Sequence, residues 1–174
     1  MEGFREDQRF LDAVRLFCTS GNFELDYSDA SAGCVTRKPF EQRYIDFLDR
    51  LSTIRREPVH FISLRCAAIK DALRFRNLAI DLLSLEQVTV RDLEIINSKF
   101  AGGIEIRGQS VVKNTVAIDA VTQTGPIIIE NSTITEEFEP GRAASFRIEN
   151  SSISALKFVE ATINGDLLEQ IPIM

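Results

Sequence analysis

The chain has 174 residues, is 44% hydrophobic and 26% charged, and carries 20 basic against 26 acidic residues for a net charge of −6. That composition is ordinary for a globular domain and excludes a collagen-like chain, a disordered chain and a small disulfide scaffold. An acidic chain is a poor partner for a phosphate backbone, which requires concentrated positive charge. With no tryptophan and one histidine, His60, most histidine-based catalysis and His-rich metal sites are also disfavoured, and no cofactor or metal is expected.

No run of about 18 apolar residues is present to span a bilayer. The first seven residues lack the apolar core of a signal peptide. The three cysteines, Cys18, Cys34 and Cys66, are widely spaced with no CxxC, and are expected to be reduced thiols in a cytoplasmic protein.

Residues 1–60 read as a helical N-terminal cap. Phe10, Leu11, Val14, Phe17 and Cys18 recur at helical spacing, and Gly21 is a natural stop. The Ser/Gly/Asp-rich stretch Ser20–Arg37 reads as loop. Pro39 is suited to open a second helix, with Phe40, Tyr44, Phe47, Leu48, Leu51 and Ile54 as its apolar stripe. Pro58 ends it.

After His60 the period changes. Nine eight-residue rows align, starting at Ile62, Leu73, Leu83, Leu93, Ile104, Val116, Ile127, Phe146 and Leu156. Positions one, three and eight are apolar in every row, except for Gln123 at position eight. Position five holds Cys66, Asn77, Gln87, Asn97, Gly108, Ala120, Asn131, Asn150 and Glu160, and position six tends to be small, with Ser98, Ser132 and Ser151.

This pattern has a physical meaning. Positions one and three point inward along a short strand, so two and four point outward. Asn or Gly at position five tolerates a left-handed turn. A chain that turns the same way about every five residues winds into a solenoid whose coils stack at ~4.8 Å. The expected fold is mainly β: a right-handed parallel β-helix of about four to five coils over 61–174, with an apolar C-terminal tail. One step between rows is long, from Ile127 to Phe146. There Glu136, Glu137, Phe138, Glu139 and Arg142 read as an acidic loop thrown out from the wall.

The five-residue spacing of Phe75, Ile80, Leu85, Val90, Ile95 and Phe100 resembles the pentapeptide-repeat proteins, a right-handed four-sided β-helix family. The resemblance covers roughly residues 62–163. It departs from the family where a small residue is wanted two before the centre, since Leu73, Leu78, Leu83, Val88 and Leu93 stand there. It implies a non-catalytic binding protein. Some acidic members resemble a DNA duplex and bind a topoisomerase.

Other candidates carry less. His60 reads as a junction residue without an assignable nucleophile. Asp26 and Asp29, with Ser28 and Ser31, lack the twelve-residue calcium pattern. Gly102-Gly103 reads as a wide turn rather than a phosphate cradle. The leading expectation is therefore a non-enzymatic protein–protein interaction or scaffold module. Its partner is another protein, with neither nucleic acid nor membrane expected. Wall residues Arg74, Arg76, Glu86, Arg91, Glu94, Glu105 and Arg107, together with the acidic loop, are its candidate binding residues. The alternatives are an acidic DNA mimic regulating a nucleic-acid enzyme and a self-assembling structural protein. The apolar end Leu167, Leu168, Ile171, Ile173 and Met174 is expected to form a homodimer face.

Overall fold

The computed structural model describes residues 2–54, 59–120, 125–140 and 145–157, and side chains from residue 8 onward with those of 119 and 120 also left aside. The chain forms a parallel β-solenoid of about four turns with N-terminal helices. The helices are α1 (Glu2–Ser20), α2 (Gln42–Asp49) and α3 (Leu51–Ile54). Two short strands, β1 (Asn22–Asp26) and β2 (Lys38–Pro39), fall among them. The solenoid continues through β3 (Val59–Arg65), β4 (Ala67–Arg76), β5 (Ala79–Glu86), β6 (Thr89–Arg107), β7 (Val111–Val112), β8 (Thr115–Ala120), β9 (Ile127–Glu130), β10 (Thr133–Glu139), β11 (Phe146–Glu149) and β12 (Ser152–Leu156).

Stacking is in register. One wall aligns Phe23, Ile62, Leu83, Ile104, Ile127 and Phe146 in a column, with Leu25, Leu64, Leu85, Ile106, Ile129 and Ile148 beside it. The second wall stacks Leu73, Leu93, Val116, Phe138 and Leu156. Every ladder between these strands is parallel, so residues of one type and one orientation meet their counterparts a coil above. The inward residues at five-residue spacing, from Phe75 to Phe100, are all at most 2% exposed.

The corners follow the sequence. Cys66, Asn77, Gln87, Asn97, Gly108, Asn131 and Asn150 all have φ between 46° and 64°, the left-handed region that Asn and Gly enter most readily. Asn97 donates its side-chain amide to Asn77 Oδ1 of the coil below at 2.8 Å. Buried serines pin the next residue. The Leu78 amide donates to Ser98 Oγ, the Val88 amide to Ser110 Oγ and the Ser132 amide to Ser151 Oγ, each at 3.1 Å. Each of these hydroxyls in turn donates to a carbonyl of its own corner, so each is satisfied both as donor and as acceptor. At Gly103, φ is +103° and an added Cβ would lie 2.1 Å from the Pro126 carbonyl oxygen. Gly103 lies within strand β6, where adjacent coils touch backbone to backbone, rather than in a wide turn.

Several expectations are corrected. The long step from Ile127 to Phe146 contains a hidden row rather than a loop: Glu136–Glu139 belong to strand β10, Phe138 is fully buried, and it stacks between Val116 and Leu156. A parallel wall cannot skip a coil without losing its ladder, so the acidic residues flank a core phenylalanine. At the fifth row Gly108 and Gln109 are both left-handed. That extra corner residue shifts the register, so Ser110 and Val112 face inward in place of Gln109 and Val111. Ser20–Arg37 is not all loop, because β1 pairs with β3 along five residues. Pro39 lies in β2 on β4, not at a helix start, and Glu41 is the residue before α2. In α1 the buried face is Phe10, Ala13 and Phe17, while Leu11 is 48% exposed and Cys18 is exposed. In α2 and α3 Tyr44, Ile45, Leu48 and Leu51 are buried and Ile54 is outward. Phe10, Phe17, Phe23, Phe47 and Tyr44 form one aromatic cluster where these helices meet the first strand.

Cys34 and Cys66 are disulfide-bonded across 32 residues, in place of reduced thiols. The segment after β1 doubles back along the first corner and brings their Cα atoms to 5.5 Å, a proximity that linear spacing does not reveal.

Phe100→Ala is expected to lower unfolding free energy by about 3–5 kcal/mol. Asn97→Ala should cost about 1–2 kcal/mol, and Asn97→Gly less, because glycine keeps the left-handed corner. Chemical denaturation monitored by circular dichroism measures all three. Equal losses for the two Asn97 variants would overturn the corner assignment.

Candidate partner-binding surface

The outward position four of the first wall carries Asp26, Arg65, Glu86, Arg107, Glu130 and Glu149 on successive coils. Up to Glu130 the sign alternates. Arg65 lies 3.7 Å from Asp26 and 3.6 Å from Glu86, and Arg107 lies 3.6 Å from Glu130 and 3.2 Å from Glu105. At the top Arg147 and Glu149 pair at 3.4 Å within one strand. Arg65 is thus set between carboxylates of the two neighbouring coils, while Arg107 pairs with one inter-coil carboxylate and one on its own strand.

The second wall repeats the scheme. Arg74 Nε donates to Glu94 Oε2 at 2.7 Å. Arg91 lies between Asp71 at 3.2 Å and Asp92 at 2.8 Å, and these carboxylates raise its already high pKa, the Asp92 hydrogen bond foremost. Arg76 reaches across to Asp49 of α2 at 3.0 Å, tying the helix to the wall. All seven wall residues expected from the sequence therefore stand outward, on two different walls, and each is engaged in an ion pair. Their partners Arg65, Asp71, Asp92 and Glu130 were not singled out. Their signal was in the sequence, since Arg65, Glu86 and Arg107 are one coil apart and alternate in sign.

The acidic stripe of β10 also has a partner. Lys157 Nζ donates to Glu139 Oε1 at 2.8 Å and lies 3.8 Å from Glu137. The Lys157 hydrogen bond, with a further one from Glu137, holds the Glu139 carboxyl below the ordinary range. The bond to Glu139 pushes Glu137 the other way, because it needs the proton. Glu136 is exposed. Phe138, buried, cannot contact a partner. Arg142 and the apolar end Leu167, Leu168, Ile171, Ile173 and Met174 lie outside the described residues.

A third feature is the corner column Cys66, Gln87, Gln109, Asn131 and Asn150. Its lower coils are covered by the chain itself. Cys34 is bonded to Cys66, the Lys38 amide donates to the Cys66 carbonyl at 2.9 Å, and the Arg37 guanidinium donates to Thr89 Oγ1 and to the Gln109 carbonyl. Partial burial in this seat lowers the Arg37 pKa. Above Arg37 the column opens into a groove lined by Gln109, Val111, Asn131, Thr133, Asn150 and Ser152. None of these positions was expected as a site, because the sequence shows corner formers and not what covers them.

Elsewhere, His60 Nδ1 lies 3.5 Å from Asp81 on the surface. Asp29 Oδ1 accepts from the Ser31 amide at 2.8 Å and the Ser31 hydroxyl at 2.6 Å, closing its own loop. These bonds to Ser31 lower the Asp29 pKa. Among the described residues no group of three or more His, Cys, Asp or Glu is placed to hold a metal. No helix among them is long and apolar enough to cross a membrane.

The pH behaviour of the β10 stripe has a definite sign. Glu139 is lowered below its unfolded value, so its contribution is present above that value and is lost as pH falls through the folded one. Glu137 is raised, so its contribution is present at low pH and fades as pH rises through the folded value. Lys157→Met should move both carboxyl midpoints upward in a carbon-detected NMR titration, and unmoved midpoints would remove the assigned contact. Arg107→Met, with its side chain 38% exposed, should cost less than about 1 kcal/mol, and less still at high salt.

Compared with protein-family models, curated proteins and solved structures, the chain matches none.

Proposed function

We propose that the chain is a non-enzymatic protein-binding module that uses the solenoid as a rigid display surface. The observation that carries this is the in-register charge column Asp26–Arg65–Glu86–Arg107–Glu130. It fixes charges of known sign at the ~4.8 Å strand spacing. A partner with the complementary sequence of charges gains orientation and register from such a column more than raw affinity. The same alternation weighs against DNA mimicry, which calls for an unbroken run of negative charge.

Within this proposal the solenoid is of the pentapeptide-repeat kind, supported by the buried five-residue series Phe75 to Phe100. Two copies pair through the C-terminal end, with Leu167, Leu168, Ile171, Ile173 and Met174 in the contact. Supporting this, β11 pairs only with β9 and β12 only with β10 among the described strands, which leaves a sheet edge at that end. Cytoplasmic placement belongs to the proposal too, although the Cys34–Cys66 bond weighs against it, since reducing compartments rarely keep such bonds. Thiol counting on protein isolated under alkylating conditions decides the compartment question, and a fully reduced Cys34 would favour the cytoplasm.

The binding reading is tested by cross-linking in extracts of the source cell, with wild type compared against Glu86→Lys/Glu94→Lys. The expected result is a discrete cross-linked protein that the charge-reversed variant loses. An identical set of products from both would overturn the role of the wall. For pairing, Leu168→Glu/Ile171→Glu should convert a sedimenting dimer to a monomer, and a wild-type chain that sediments as a monomer at tens of micromolar removes the dimer.

A further inference from the structure

The amide corner is half filled. Cys34 is covalently fixed to Cys66 in the first coil. The backbone stays at that coil, where the Lys38 amide donates to the Cys66 carbonyl, and the Arg37 side chain reaches up the column to a threonine hydroxyl at Thr89 and a corner carbonyl at Gln109. This is a docked basic segment, held by backbone pairing of Lys38 and Pro39 with Ala67 and Ala68. It shows what the corner chemistry accepts: an extended strand with a planar cation that donates to hydroxyl and carbonyl acceptors.

The same chemistry continues above Arg37 with nothing from the described residues on it. In register with Thr89 stand Val111, then Thr133, then Ser152. The two uppermost again offer hydroxyls. Gln109, Asn131 and Asn150 are exposed at their corners. None of the three side-chain amides has a hydrogen-bond partner among the described residues, in contrast to Asn77 and Asn97 at the opposite corner. Glu130 and Glu149 immediately precede the two asparagines but are already paired with Arg107 and Arg147, so the groove itself is polar and uncharged. A side chain that only caps a turn does not need an open groove beside it. Three amides and two hydroxyls aligned by the ladder do make a polar track with acceptors at coil spacing.

We propose that the open upper half of this corner, between Gln109 and Ser152, is the docking groove for an arginine-bearing extended peptide of a partner protein. Its guanidinium takes the hydroxyls of Thr133 and Ser152 as Arg37 takes that of Thr89. The amides of Asn131 and Asn150 bond the peptide backbone, as polar groups along an extended ligand do. This rests on the protein-binding reading but fixes a different surface from the charge columns, and so can fail alone.

The probe is the chain's own seated segment, a synthetic peptide of Gly33–Phe40 with Cys34→Ser, offered to the intact disulfide-bonded protein. The lower half of the corner is then already occupied. Fluorescence anisotropy should show saturable binding. Thr133→Val/Ser152→Ala should weaken it about tenfold or more, the scale of a lost hydrogen bond to a charged donor, and Asn131→Gly, which keeps the left-handed corner, should weaken it also. The wild-type protein's Asn131 and Asn150 side-chain amide signals should shift on titration. An Arg37→Ala peptide should not bind. No saturation up to about 1 mM peptide, equal affinity for the Thr133/Ser152 variant, or equal binding of the Arg37→Ala peptide would each overturn the groove. If the groove fails while the Glu86→Lys/Glu94→Lys variant still loses its cross-linked partner, the binding role of the wall stands without it.

Discussion

Parallel, in-register stacking of backbone at ~4.8 Å is the constraint on which everything else in this protein depends. It demands that each coil return to the same place, and the chain meets that demand at its corners. A left-handed residue turns the strand, and a buried serine then ties the turned segment to the coil below or above. The hydrogen bonds at these corners matter because they are buried, where an unmade donor costs more than a made one gains. With the corners fixed, inward side chains fall into columns and pack like with like, so the core is filled without long-range coincidence of shape.

The same ladder that aligns the core also aligns the surface. Charges at position four have no freedom to choose their neighbours, because the register chooses for them. An alternating sequence such as Arg65, Glu86, Arg107 and Glu130 then yields near pairs coil after coil. Each pair is worth little in isolation, since these side chains remain substantially solvated. Their joint effect is to avoid stacking like charges at strand spacing and to present a patterned face. Two places depart from this: Glu149 stacks on Glu130, and in β10 Glu137 and Glu139 lie side by side, where Lys157 offsets the repulsion.

Beside the Arg76–Asp49 ion pair, three further kinds of contact join the N-terminal part to the solenoid. β1 lies under β3 in a continuous ladder. The aromatic cluster of α1 and α2 covers the first strands. The Cys34–Cys66 bond and Arg37 fasten the intervening segment along a corner. An end of a solenoid exposes both strand edge and core, so such covering is what lets the stack stop.

Much of the architecture was already set by local pattern. The apolar period, the left-handed residues at Asn77, Gln87, Asn97, Asn131 and Asn150, and the outward placement of Arg74 through Arg107 are local properties, decided by residues within one turn of each other. What the tertiary structure decided involves distance along the chain. The row built on Phe138 was hidden because its neighbours are glutamates, and only the need for an unbroken ladder places it inside. The corner at Gly108 and Gln109 takes an extra residue that shifts Ser110 and Val112 inward, and a spacing of twelve alone does not say where the insertion sits. Cys34 meets Cys66, and Arg37 meets Thr89 and Gln109, because a segment whose composition resembles loop folds back along a corner formed later in the chain. Periodicity fixes which way a side chain points; which side chain it then meets is a matter of stacking, and stacking exists only once the coils have closed.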